Sequence, residues 1–452
     1  MLMGRKVFFS FLGFGYYEEV HYYCGEGTGQ RIASATNYIQ LALIELFCTD
    51  WTSEDRFYIL MTDDARERNW KNVTAKLTEI GDERFRSTNS NVTIVPVSIP
   101  KGFTEAEVME IFETIYKLID VEDEISFDIT HSFRSMPFIA SVIFNYSGLL
   151  KSASINRVVY GAFETLGTRQ QIESIPLKNR LVPVVDLSSF VFLNELTSAA
   201  DIFNQTGDVS RLTYLFNEER KKIYSKKMKE LGKQFTLREQ ELTRFNRAVK
   251  FVRGQDIDKL DFAKLLDKKE FPEGFPKVYE SLFDQFIEKL RKLLETNGID
   301  MEAPFRKEIK NQLVAILWCI EHDLVQQGFT LLRELIITRI MLELDKNADI
   351  YNETEREEVE DFINMAIIEK VGSDLKKPNR IDEKKFEYIK KHFDADIVAY
   401  NKIKEPRNDM NHGGFRRSPR NADKLRETLR DLFREYLESL REDEEEDPSH
   451  LE

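Results

Sequence analysis

Cysteine is scarce in this chain of 452 residues: Cys24, Cys48 and Cys319 stand far apart, with no CxxC pairing. That spacing excludes a disulfide framework and a cysteine zinc site. Histidine is scarce too, with six in all and none in an HExxH or similar ligand spacing. The sequence therefore offers no support for a metal-dependent mechanism, and no cofactor is expected. Positive charge is outweighed: 65 Lys and Arg face 79 Asp and Glu, a formal net charge of −14. This argues against a protein that coats long nucleic acid, and neither DNA nor membrane is expected as a partner, but a small local basic site fits. No apolar run reaches the roughly 20 residues that span a bilayer. The opening Met1–Gly15 lacks the basic, apolar and small-residue succession of a secretory signal. A cytoplasmic protein is expected.

What is present is globular: 42% hydrophobic and 32% charged residues, in a chain long enough for two or three domains. The first part alternates strand and helix. Strand-like runs fall at Lys6–Leu12, Phe57–Met61, Val92–Val97, Ile125–Ile129 and Asn156–Phe163. Helical periods fall at Arg31–Phe47, Glu105–Ile119 and Arg134–Leu150. Alternation of this kind predicts an α/β, Rossmann-like, doubly wound parallel sheet. From Ser188 onward helical periods replace strands, notably over Asn311–Leu344, Glu357–Ile368 and Arg426–Leu440. Charge runs at Lys221–Lys233 and Asp256–Glu273 read as solvated helices and turns. The expected domains are 1–186, α/β; 187–300, a helical connector; 301–441, all-α; and 442–452, an acidic disordered tail.

In a doubly wound sheet, ligands bind beyond the carboxyl ends of the strands, where the strand order reverses. The loop after the first strand, Gly13–Gly29, holds five glycines together with Phe14, Tyr16, Tyr17, Tyr22 and Tyr23. Glycines admit close backbone approach, and aromatic rings offer stacking faces to bases. Gly13 and Gly15 begin a dinucleotide fingerprint, but Glu18 occupies the third glycine position. The loop after the fourth strand reads FDITHSFRSMPF. Its Asp128, Thr130, His131, Ser132, Arg134 and Ser135 precede an apolar helix, with Ser132 or Ser135 as its N-cap. Hydroxyls, an arginine and open N–H groups at a helix start suit a phosphate.

The segments FLGFGYYEEVHYY, MTDDARERNW and DITHSFRSMP, in this order, resemble the CARF (CRISPR-associated Rossmann fold) proteins that carry a DxTHG-type motif. Ser132 stands where that motif has glycine, a departure that removes backbone freedom. The resemblance covers roughly the first 180 residues. It implies a domain that binds a cyclic oligoadenylate across a homodimer, with Gly13, Phe14, Tyr16, Thr62, Asp63, His131, Ser132, Phe133, Arg134 and Ser135 as the ligand-binding residues. Cyclic tetra-adenylate is the preferred activator and the six-membered ring the alternative.

The segment EPRNDMNHGGFRRSPR carries Arg407 and His412. On a continuous helix these would point roughly 140° apart, whereas Arg407 aligns with Asn411 and Asn408 with His412. Pro406 suits the first position of a short helix that Gly413 and Gly414 then stop. Arginine holds phosphate oxygens and histidine shuttles a proton near neutral pH. This Arg-x4-His pattern in an all-α context resembles the HEPN ribonuclease motif, over about Asn311–Leu440. A CARF sensor followed by a HEPN domain occurs in type III CRISPR antiviral systems. The pairing implies a metal-independent endoribonuclease acting on single-stranded RNA, its catalytic residues Arg407 and His412, with Asn408 and Asn411 orienting them, contributed by both protomers of a dimer.

Two other readings remain. In one, the protein is a cyclic-nucleotide sensor whose helical domain only dimerises. In the other, weakened by Glu18, it is a nicotinamide-dependent oxidoreductase. His131 and Ser132 also make degradation of the ligand by the sensor itself conceivable.

Overall fold

The computed structural model describes residues 4–77, 92–215, 217, 229–262, 266, 277–299, 306–371 and 382–446. The chain divides into two compact units, Met1–Glu195 and Leu196–Glu452.

The first unit is built on β1 (Lys6–Leu12). Its sequence, KVFFSFL, is apolar nearly throughout because both sheet faces are covered. Val7, Phe9 and Phe11 enter one core layer, and Phe8 and Leu12 the other. The remaining strands are β2 (His21–Cys24), β3 (Arg31–Ile32), β4 (Arg56–Met61), β5 (Thr93–Ser98), β6 (Glu124–Asp128), β7 (Ser154–Gly161) and β8 (Leu181–Asp186). They form one sheet in the order β3-β2-β8-β7-β6-β1-β4-β5. The five strands from β7 to β5 are parallel, as the alternation predicts. β1 pairs with β4 from Val7↔Arg56 to Leu12↔Met61 and with β6 from Lys6↔Glu124 to Phe9↔Phe127. Aromatic pairs bind these neighbours, Phe8 on Phe57 at 4.9 Å and Phe9 on Tyr58 at 5.1 Å.

Three strands are not legible as periodic runs. β8 pairs antiparallel with β7, β2 pairs parallel with β8, and β3 pairs antiparallel with β2. Pro183 disguises β8, and the tyrosine- and glycine-rich setting disguises β2. The helix expected over Arg31–Phe47 is corrected accordingly: only α1 (Ile39–Phe47) is helical. Ahead of it the chain is extended, held by the Val20–Thr36 bridge and by the Thr36 hydroxyl, which accepts from the Tyr38 N–H at 3.1 Å. α1 and residues 63–77 cover the Phe8 face. α2 (Glu105–Leu118) and α3 (Met136–Lys151) cover the Phe9 face. The strand order reverses between β1 and β6, so their carboxyl ends open a crevice.

Helix α4 (Ser188–Thr206) spans the unit boundary. Among the described residues, the elements beyond it are all helices: α5 (Lys229–Lys250), α6 (Lys277–Thr296), α7 (Lys307–Glu321), α8 (Val325–Leu344), α9 (Glu353–Val371), α10 (Glu383–His392), α11 (Asp394–Asn411) and α12 (Ala422–Glu446), with a short helical turn at Gly254–Asp258. The apolar period over Asn311–Leu344 belongs to two helices. Asp323, left-handed with φ 57°, ends α7, and the Leu324 N–H bonds back to the Cys319 carbonyl at 2.8 Å. Pro406 does not start a helix. It lies buried inside α11, where packing against α8, α9 and α12 outweighs the lost N–H bond. Residues 447–452 of the acidic tail and 221–228 of the first charge run lie outside the described residues, as does much of the second.

One buried charge binds three helices of this unit. Asp396 on α11 accepts from Arg339 on α8 and, at 2.7 Å, from the Tyr436 hydroxyl on α12. Removing one partner of such a pair leaves the other desolvated and costs about 3–5 kcal/mol. Asp396→Ala is expected to lower the unfolding free energy by that amount in urea titration; a loss under about 1 kcal/mol contradicts it.

Candidate functional site

The crevice is assembled from three loops at the carboxyl edge of the sheet. After β1, the carbonyls of Gly13 and Gly15 accept from the Asn69 amide at 2.8 and 3.1 Å. This ties the glycine loop to the helical segment after β4. A Cβ on Gly13 would lie 2.4 Å from the Tyr17 hydroxyl and 3.5 Å from the His131 Cβ, so only glycine fits between them. The Tyr17 ring packs on the His131 imidazole at 4.5 Å. Phe14 and Tyr16 turn outward, 63% and 80% exposed. The Arg68 guanidinium sits over the Tyr16 ring at 4.1 Å. After β4, Thr62 caps the next helix by accepting from the Ala65 N–H, with exposed Asp63 beside it.

After β6, Asp128 is wholly buried and accepts from the Ser10 hydroxyl at 2.6 Å, the Thr130 N–H at 2.9 Å and the Thr130 hydroxyl. Burial raises its pKa against the opposition of these bonds. Thr130 in turn accepts from the Gly161 N–H at 2.8 Å. Neither serine caps α3 through its hydroxyl, contrary to expectation. Ser132 donates instead to the Ile129 carbonyl at 2.8 Å, and Ser135 occupies the cap position without a side-chain bond. Arg134 and Ser135 are exposed. Phe133 packs into the core layer of the Phe9 face.

His131 is the polar centre of this arrangement. Burial pushes its pKa down to about 4, so the imidazole is neutral at physiological pH. Its Nε2 is buried and, among the described residues, has no hydrogen-bond partner. Such a group costs about 1–3 kcal/mol unless something bonds to it. A ligand reaching this crevice would therefore meet a neutral donor or acceptor and outward aromatic faces.

In the helical unit, Arg407 and His412 lie at the end of α11. His412 is exposed and its N–H bonds the Asn408 carbonyl at 3.1 Å. Gly413 and Gly414, with φ 61° and 70°, turn the chain away. The Asn411 side chain accepts from Gln326 at 3.3 Å. Arg407 is half-buried, and its Nε has no hydrogen-bond partner among the described residues. Glu360 lies within its field. Burial works against that carboxylate, but hydrogen bonds from Arg333 and Tyr400 and the charges of Arg333 and Arg407 hold its pKa below the usual range. Asp409 is buried, accepts from the Arg420 N–H at 2.9 Å and pairs with Arg416 at 3.6 Å.

Sequence reasoning overlooked Asn69, Tyr17 as a partner of His131, and the Arg333–Glu360–Tyr400 group. The bonds from Asn69 to the two glycine carbonyls span more than fifty residues and leave no local pattern. Among the described residues, no group of three or more His, Cys, Asp or Glu is placed to hold a metal ion, and no helix is long and apolar enough to cross a membrane.

Residues 7–164 match the family model described as CRISPR system endoribonuclease Csx1, CARF domain. The CRISPR-associated protein MJ1674 of Methanocaldococcus jannaschii is 28% identical over 134 residues, which are 29% of this chain and 20% of that protein. The match thus spans about a fifth of that relative's length. Csm6 of Enterococcus italicus, solved bound to cyclic hexa-2'-fluoro-hexa-dAMP, aligns with a TM-score of 0.42 at 11% identity, covering 97% of this chain and 95% of that one.

The His131 imidazole titrates near 4 when folded and near 6.5 when unfolded. Its stabilising contribution is complete above about pH 6.5 and is lost as pH falls toward 4. His322 in the helical unit, also lowered to about 4 by burial, adds to the same window. His131→Gln is therefore expected to lose less stability than wild type between pH 6.5 and 4 in denaturant titrations, while His322 and, with the opposite sign, Asp258, which burial raises to about 6, contribute alike to both proteins. Parallel curves refute the assignment.

Proposed function

We propose that this chain, whose residues 7–164 match the family model described as CRISPR system endoribonuclease Csx1, CARF domain, senses a cyclic oligoadenylate and answers as a metal-independent endoribonuclease. The sensing half is supported by the crevice. Gly13 and Gly15 let backbone approach a ligand, Phe14 and Tyr16 offer faces to adenine, and the unpartnered His131 Nε2 offers a neutral hydrogen-bonding group. Exposed Arg134 and Ser135 at the start of α3 suit the ligand's phosphates. Four adenylates remain the preferred ring, with six as the alternative.

A second copy of the chain is the expected partner. Helix α3 exposes Phe138 (77%), Val142, Tyr146 and Leu149 (81%) along one stripe, a face suited to an identical helix. Dimerisation also supplies what one chain lacks, because each chain brings only one arginine and one histidine of the motif.

The observation that carries the ribonuclease half is an exposed His412 on the same helix end as a half-buried Arg407 whose Nε has no hydrogen-bond partner among the described residues. RNA can be cut by its own 2′-hydroxyl attacking the adjacent phosphorus while the 5′-oxygen leaves. His412 accepts the 2′-hydroxyl proton or returns one to the leaving oxygen, one such role falling to each protomer. Arg407 holds the charge that builds on the phosphate. Asn408 and Asn411 position the two groups. The products are a 2′,3′-cyclic phosphate and a 5′-hydroxyl end. Ligand at the crevice favours one dimer geometry and thereby assembles the composite cleft, a coupling between two sites.

Cleavage of a fluorescent single-stranded RNA in EDTA, with cyclic tri-, tetra- and hexa-adenylate supplied separately, tests the reading. Cutting that requires one ring and falls at least roughly a hundredfold in His412→Ala is expected. Arg407→Lys should not restore the rate, since the planar fork is lost. Kinase labelling should capture 5′-hydroxyl fragments; 5′-phosphate ends contradict the mechanism. A ring that binds without provoking cleavage would leave a sensor with a non-catalytic helical half. Gly13→Ala must displace the Tyr17 hydroxyl and is expected to weaken activator binding in calorimetry while leaving the helical unit's unfolding unchanged.

A further inference from the structure

The helical unit contains a concave surface well before the Arg407 motif in sequence. It is a cavity of about 640 Å³ lined by Arg244, Arg247, Phe251, Arg253, Asp256 and Lys259, within the size range of ligand sites. Among the described residues four cations meet one carboxylate there, in a chain whose net charge is −14. Arg244 is engaged by Glu241 at 3.0 Å. Among the described residues, Arg247, Arg253 and Lys259 make no ion pair. A wall with a surplus of one sign concentrates ligands of the opposite sign.

The local chain is shaped to keep these groups together. Arg244, Arg247 and Phe251 follow one another along one face of α5 and its continuation. Val252 then adopts a left-handed backbone, φ 51°, which a β-branched residue accepts only under constraint. The Arg253 N–H bonds the Ala248 carbonyl at 2.8 Å and closes this bend. Phe251 is left 66% exposed, and the chain enters the turn Gly254–Asp258. That turn is fastened from α7: the buried Asn311 amide donates to the carbonyls of Ile257, Asp258 and Leu260 at 3.0, 3.1 and 3.0 Å. Gln312 donates to the Asp258 carboxylate at 2.8 Å. The cations thus stand on a preorganised support.

We infer that this cavity is a binding site for single-stranded RNA, with phosphates held by Arg247, Arg253 and Lys259 and a base stacked on Phe251. Arginine forks match phosphate oxygens, and an exposed ring stacks only a base that has left a duplex. The inference rests on the proposed ribonuclease activity for its choice of RNA as the polynucleotide. The recognition chemistry, phosphodiester plus base, is read from the cavity alone. The site would hold substrate outside the cutting cleft.

The test uses the full chain carrying His412→Ala, so that RNA stays intact, and anisotropy of a labelled short single-stranded RNA over a range of salt. Adding Arg247→Gln with Arg253→Gln is expected to weaken binding at least roughly tenfold and to flatten the salt dependence of log K by about 1.4, some 0.7 for each phosphate no longer neutralised. Phe251→Ala is expected to weaken binding about tenfold with the salt slope unchanged. Thermal melts of each variant confirm folding. Unchanged affinity and slope in folded variants, or no RNA binding by the parent, overturn the site. Displacement of RNA by adenosine monophosphate as readily as by unlabelled RNA also overturns it, in favour of a mononucleotide pocket. Wild-type protein that cuts no RNA, yet loses binding in these variants, sinks the ribonuclease reading and leaves this site standing. Full cleavage by Arg247→Gln with Arg253→Gln placed in the wild-type chain, with binding intact in the His412→Ala chain, does the reverse.

Discussion

The crevice at the carboxyl edge of the sheet depends on one buried carboxylate. Asp128, at the end of β6, is removed from water and survives there because Ser10 on β1 and Thr130 in the following loop donate to it. The cost of desolvating a carboxylate makes these bonds obligatory. Their geometry therefore dictates where the neighbouring strands and loop must lie. Gln40 on α1 donates to Ser10 at 3.2 Å, and Gly161 on β7 donates to Thr130 at 2.8 Å. One acid thus joins two adjacent strands directly, and a third strand and a helix through its partners, at the point where the strand order reverses. His131 is carried to its place on Tyr17 by that construction.

The helical unit obeys the same rule with different residues. Asp396 satisfies Arg339 and Tyr436 across three helices, while Glu334 and Glu360 satisfy Arg333 and Arg356 on α8 and α9. Arg407 sits at the margin of this second group, its guanidinium felt by Glu360 while its Nε stays unclaimed. Arg333, Arg339 and Arg356 are absorbed into these pairs, which sets Arg407 apart. Arg247, Arg253 and Lys259 of the α5 cavity, which make no ion pair among the described residues, stand out on the same ground in a chain with an acidic surplus.

Much of the architecture was legible because the patterns are local. A buried parallel strand such as KVFFSFL needs apolar residues on both faces, and an amphipathic helix such as α2 repeats its apolar residues on one face. Errors arose where a local pattern competed with distant partners. Ile32 fits a helical period, yet residues 31–32 pair with β2 and leave Ile32 half-exposed. Pro406 looks like a helix start, yet its ring is buried inside α11. Charge runs read as solvated faces, but the second contains Asp258, buried and bonded by Gln312 and Tyr351.

The sequence by itself determined the order of an α/β half and an all-α half, and the presence of the DITHSFRSMP loop and the Arg407–His412 segment. These follow from periodicity and residue type, which neighbours along the chain express directly. Only the tertiary structure decided that Tyr17 and not a charged group faces His131, that Asn69 secures the glycine loop, and that Arg244, Arg247, Arg253 and Lys259 share one cavity. Those outcomes turn on burial and on hydrogen bonds between residues far apart in the chain. Burial sets whether an imidazole is neutral and whether a cation must be paired, and no local pattern encodes it.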